Sequence, residues 1–189
     1  MSRVDTITWQ AHARVEKWDD EQVAWVKRVT GIAVPSGDLL AELVAPYEVV
    51  DAPGNLLTTA GLTRLTSLLA GGGGQAVTST ATRLGVGDGS TTAVVADTDL
   101  SAAAGSTHRY FQVMDATYPQ VAAGVVTFKA TYDGSTANFV WSEWGIDIGT
   151  PTVSGGTTVN ATLLNHKSGA ALGTKATGTW ALTATITIS

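Results

Sequence analysis

The chain of 189 residues contains no cysteine. Disulfides and thiolate metal sites are therefore excluded, and the redox compartment cannot be inferred. Charge is also scarce. Asp, Glu, Lys and Arg make up 14% of the residues, against about 25% in an ordinary soluble domain. A chain so poor in charge covers its surface with Thr, Ser, Gly and Ala, as a subunit packed inside an assembly does. Assembly as a homo-oligomer is the expectation. The charge present sums to −5. That balance argues against nucleic acid or an anionic membrane as partner, since both favour a basic surface. No apolar run reaches the roughly 18 residues of a transmembrane helix. Met1-Ser2-Arg3-Val4-Asp5 lacks the apolar core of a secretory signal. The chain is expected to be made in the cytosol and to stay there, or to leave by a route other than general secretion.

What is present suits a folded core, with 44% apolar residues. The organising stretch runs from Gly54 to Ala70 and is followed by four glycines, Gly71 to Gly74. Leu57, Gly61, Leu65 and Leu68 recur at steps of three and four, which predicts a helix over 57–70. Thr58 or Thr59 caps its start, and the glycines end it.

Before that helix the chain mixes element types. Val4 to Trp9 and Ala11 to Trp18 alternate in part, as strands do. Asp19-Asp20-Glu21 opens a helix with Val23, Val26 and Val29 on one face, closed by Gly31. Asp38 to Val44 reads as a short helix and Tyr47 to Asp51 as a strand. After it come short strands separated by turn signals: 81–87, 108–114, 125–132 ending at Asp133-Gly134, 138–148, 159–165 and 180–189. The expected fold is mainly β: an antiparallel β-sandwich with an α+β N-terminal region and one linking helix. The expected division is an N-terminal attachment region over 1–53, a linking helix and glycine linker over 54–75, and the sandwich over 76–189.

Few residues suggest chemistry. Gly85-Val86-Gly87-Asp88-Gly89 lacks the Lys-Ser or Lys-Thr of a phosphate-binding loop and reads as a turn. Asp88, Asp97, Asp99 and Asp115 fit no calcium-loop spacing and read as solvated loop acids. His12, His108 and His166 form no metal-binding pair along the chain. No catalytic residue, cofactor or metal ligand is assigned. Glu143 and Asp147, four apart on one strand face beside Trp141 and Trp144, are the exception. Two carboxylates can perform acid–base work on a sugar, and aromatic rings can stack on one. The plainer alternative makes the tryptophans core and pairs the acids with Arg109 or Lys129.

Several phrases, taken in order, resemble structural proteins of tailed bacteriophages, particularly those of actinobacterial hosts. They are Asn55-Leu56-Leu57-Thr58-Thr59-Ala60-Gly61-Leu62, Arg83-Leu84-Gly85-Val86-Gly87-Asp88-Gly89 and Asp97-Thr98-Asp99-Leu100. Arg109 to Asp115, Asn138 to Ile146, Leu164-Asn165-His166-Lys167, Leu172-Gly173-Thr174-Lys175 and the Thr-rich C-terminal strand complete the set. The resemblance covers roughly residues 54 to 189. It implies a non-enzymatic virion component: a minor tail or fibre protein, or alternatively a capsid decoration protein on the head. It implies other virion proteins, the tail or major capsid protein, as partners. It implies a location in the virion after assembly in the host cytoplasm. A carbohydrate- or receptor-binding module using Trp141 and Trp144 on a host glycan is the competing class. A glycan hydrolase built on Glu143 and Asp147 is the third.

Overall fold

The computed structural model describes the backbone of residues 8–154 and 157–189, and the side chains of residues 8–149 and 161–189. The expected strand at Val4 to Trp9 falls mostly outside these residues. The chain begins with strand β1 (Trp9–Trp18), helix α1 (Asp20–Thr30), helix α2 (Gly37–Leu43) and strands β2 (Glu48–Pro53) and β3 (Leu56–Leu57). Helix α3 (Thr59–Leu69) follows, then β4 (Thr82–Gly87), β5 (Arg109–Val113), β6 (Gln120–Ala122) and β7 (Val125–Tyr132). The last elements are β8 (Val140–Trp141), β9 (Glu143–Ser154), β10 (Thr157–Lys167), β11 (Gly173–Thr174) and β12 (Thr179–Ile188).

Two five-stranded antiparallel sheets face each other. The first has the order β2-β1-β12-β7-β6 and the second β3-β10-β9-β4-β5. Strand alternation builds the core between them. Ala11, Ala13 and Val15 of β1, with Trp180, Leu182, Ala184 and Ile186 of β12, meet Leu84, Val86, Trp144, Ile146 and Ile148 of the second sheet. Tyr132, Trp141 and Trp180 stack edge to face, with ring centroids 4.7 and 4.9 Å apart. Such contacts add to the burial energy of the rings.

Each sheet has part of its outer face covered. On the first sheet, Val23 and Val26 of α1 and Leu40 of α2 pack on Trp18 and Ala181. Asp19 caps α1 by accepting from the Gln22 N–H, and the Gln22 side chain accepts in return from the Asp19 N–H. On the second sheet, α3 lies along β10. Thr58, one of the two expected caps, accepts from the Gly61 N–H. Gly61 sits against the backbone of Leu164 so closely that a Cβ would overlap it. The irregular segment 88–108 lies over the same face at Glu143, His166 and Arg109.

The expected boundary at residue 53 does not part the sandwich from an appended region. β1 pairs with β12 along its whole length, from Trp9 opposite Ile188 to Trp18 opposite Thr179. β2 pairs with β1 in turn. Residues 9–53 thus supply two of the five strands of the first sheet and both helices on its outer face. The cause is pairing across some 170 residues of sequence, which local alternation does not reveal.

The β9–β10 hairpin runs beyond its sheet. β4 follows β9 only from Glu143 to Ile148. The Gly149 N–H still reaches Ala81 O at 2.9 Å, and beyond it, as far as Ser154 opposite Thr157, β9 and β10 pair with each other. No third strand joins them there among the described residues.

Candidate functional site

The most concentrated polar chemistry lies beneath segment 88–108. Glu143 starts β9 on the outward side of the second sheet and is fully buried. One of its oxygens accepts from the Ser101 N–H at 2.9 Å, the Ser101 hydroxyl at 2.7 Å and His166 Nε2 at 2.8 Å. The other accepts from the Ala102 N–H at 2.8 Å. His166 is 1% exposed, and its Nδ1 lies 2.7 Å from Asp97 Oδ2. Asp97 also accepts from the Val94 N–H. The imidazole bridges two carboxylates and, when protonated, donates to both.

The electrostatics agree with that assignment. Burial opposes charge on His166, but its hydrogen bonds to Glu143 and Asp97 outweigh burial and raise its pKa. Burial would raise Glu143, yet the donors from His166, Ser101 and Ala102 hold its pKa below the ordinary value. Asp97 is lowered similarly, with His166 and the Val94 N–H overcoming burial.

Two local devices make the cluster. A bulge in β10 leaves Leu163 opposite Asp147 but puts Asn165 opposite Ile146 and His166 opposite Gly145. Without the extra residue, Asn165 would take the place that His166 holds above the sheet. The second device is the glycine spacing. A Cβ on Gly87 or Gly89 would overlap the Glu143 carboxylate, and one on Gly89 would also overlap Ser101. The Gly-Val-Gly-Asp-Gly phrase therefore makes room for a buried carboxylate.

The four singled-out residues occupy two different faces. Trp141 and Trp144 are fully buried in the core between the sheets. Neither ring is open to a sugar. The Trp141 indole N–H donates to Ala137 O, whereas that of Trp144 has no partner. Glu143 and Asp147 do share the outward face, as their spacing predicted, and both are buried. The partners of Glu143 differ from those expected. Glu143 is held by His166 and the Ser101–Ala102 backbone, and Asp147 lies opposite Arg83 in the β4–β9 register. Arg109 meets Asp99 at 2.7 Å, and Lys129 meets Asp38 at 2.7 Å.

The loop acids are likewise distributed rather than gathered. Asp88 meets His108, Asp97 meets His166, Asp99 meets Arg109 and Asp115 accepts from Thr131. No group of acids and histidines suited to a metal ion occurs among the described residues. Lys175, 1% exposed, donates to Asp133 O, Thr136 O and Asn138 Oδ1. Burial lowers its pKa to about 8. Its role is to hold the 133–138 turn. Sequence reasoning missed His166, Asp97 and Ser101 as one unit, because they come from three separate segments. The GxGxG spacing was the only local trace of it.

An open groove of about 740 Å³ lies beside α3, lined by Thr59, Thr63, Arg64, Gly73, Ala96 and Thr98. It contains no carboxylate and no histidine. No described helix is long and apolar enough to cross a membrane. No family model, curated protein or solved structure matches this chain.

Proposed function

We propose that this chain is a non-enzymatic structural subunit of a tailed-bacteriophage particle, present in many copies as a tail or fibre-type component. The observation that carries the reading is the β9–β10 ribbon. A two-stranded hairpin in water is marginal by itself, yet this one runs past the sheet that supports its base. The sequence from Gly149 to Ala161 holds no charged residue. Open, uncharged strand edges are templates for pairing with another chain, and monomeric proteins usually blunt them with charge or proline. Pro151 is the single proline there. A neighbouring subunit that pairs with the ribbon supplies the missing support.

The chemistry under segment 88–108 fits the same reading. Ser101 donates to Glu143 rather than to His166, so the imidazole is not placed to activate that hydroxyl. The cluster spends its hydrogen bonds on fixing a loop. The buried rings of Trp141 and Trp144 remove the platform on which the glycan-binding alternative rested.

The test replaces residues 150–159 by a two-residue turn. The isolated variant is expected to fold, and it is expected to be lost from purified particles. Incorporation at the parent level would show that the ribbon is not the joint. Labelling of the head rather than the tail by an antibody against the chain would move the assignment to capsid decoration.

A further inference from the structure

We propose that the outward face of α1 is a two-fold contact between two copies of this chain. α1 buries Val23 and Val26 against the sheet and turns Glu21, Ala24, Trp25 and Arg28 to solvent. These four positions, at steps of three and four, form one stripe along the helix. Trp25 is 40% exposed, and every other tryptophan is buried or half-buried. Val29, at the end of the helix, and Ile32 and Val34, just beyond it, are also exposed, at 53%, 44% and 63%. A cluster of this kind on a chain so poor in charge marks an interaction site.

The order of charges selects the partner. In an antiparallel pair of α1 helices with the axis between positions 24 and 25, Glu21 of each copy faces Arg28 of the other. Trp25 of each lies over the small Ala24 of the other, which allows close approach. One surface is then complementary to itself, as a two-fold interface requires. Neither Glu21 nor Arg28 forms an ion pair among the described residues, whereas Asp19 and Asp20 are engaged with the Gln22 and Gly178 N–H groups. An acid early and a base late in a helix also suit its own dipole. The dipole gives no reason for an exposed tryptophan midway between them with alanine beside it.

This inference is independent of the particle reading, and its test uses the isolated full chain. Light scattering across a concentration series is expected to show the mass rising from that of the 19.4 kDa chain to twice that value. Quenching of Trp25 fluorescence by acrylamide is expected to fall in step. Glu21→Arg and Arg28→Glu each place like charges across the axis twice, and each is expected to weaken the dimer about tenfold or more. The double reversal restores complementarity and is expected to recover parent dimerisation. Circular dichroism checks that all variants fold. A chain that stays monomeric overturns the proposal, as does a dimer that tolerates either single reversal or is not restored by the double.

Discussion

The two outer faces of the sandwich are covered by different physics. On the first sheet two regular helices press Val23, Val26 and Leu40 onto Trp18 and Ala181. That cover is mainly apolar and local in sequence, with one ion pair, Asp38–Lys129, at the start of α2. On the second sheet, beside helix α3, an irregular segment is held by one imidazole, two carboxylates and a few backbone N–H groups. That cover is polar and drawn from distant parts of the chain. A helix can bring its own periodic apolar face. A loop without one must be fastened by specific hydrogen bonds, and burying their charges requires that all be satisfied.

The largest expected effect breaks the first face entirely. Removing residues 1–53 takes away β1, β2, α1 and α2, and leaves β12 without its central neighbour. The remainder is expected to lose its near-ultraviolet circular dichroism and cooperative urea unfolding. A folded remainder would restore the division of the chain at residue 53. Next comes the second face. Glu143→Ala leaves a buried imidazolium with one carboxylate and is expected to cost about 3–5 kcal/mol in urea unfolding. Hydrogen exchange should then quicken at Ser101 and Ala102, with the core strands changing less.

Leu40→Ala removes an apolar contact from the first face and is expected to cost about 2–5 kcal/mol. Its cost should change little with pH, since the cluster it packs in, Trp18, Val23, Val26 and Ala181, carries no titratable side chain. The second face should behave otherwise. The raised pKa of His166 gives stability that is full below its unfolded value of about 6.5 and is lost as pH rises through the folded value. The lowered pKa values of Asp97 and Glu143 give stability that is present above their unfolded values near about 4 and is lost as pH falls through the folded ones. The stability difference between the parent and His166→Gln should therefore be widest between about pH 4.5 and 6.5 and shrink on both sides. A difference that does not change with pH would show that the imidazole stays neutral. Comparing the two proteins cancels Lys175, whose lowered pKa of about 8 has the opposite slope at alkaline pH. The smallest effect is Asp19→Ala, which removes the cap of α1 and is expected to cost about 1 kcal/mol.

The same contrast explains what could be read in advance. Alternation placed the long strands, and the steps of three and four placed α1 and α3 to within a few residues. Thr58 and Asp19 were visible as helix starts from residue type alone. The partner of β1 was not visible, because pairing between Ala13 and Ala184 leaves no mark near either residue. The same holds for the cluster. Glu143 drew notice as a carboxylate beside tryptophans, but its partners lie some 40 residues before it and 23 after it. The β10 bulge that turns His166 toward it shows no glycine or proline of its own. Asn165, displaced by that bulge, is buried with neither side-chain polar atom paired. The glycines at 87 and 89 were legible as a turn, and only the position of the Glu143 carboxylate explains them.

The central claim is that this chain is a repeated part of a virion. Quantitative mass spectrometry of purified particles, with the major capsid protein as internal standard, tests it most directly. This chain is expected in the particle fraction at a fixed ratio corresponding to several copies or more per particle. Absence from the particles, with the chain recovered free in the lysate of infected cells, would contradict it.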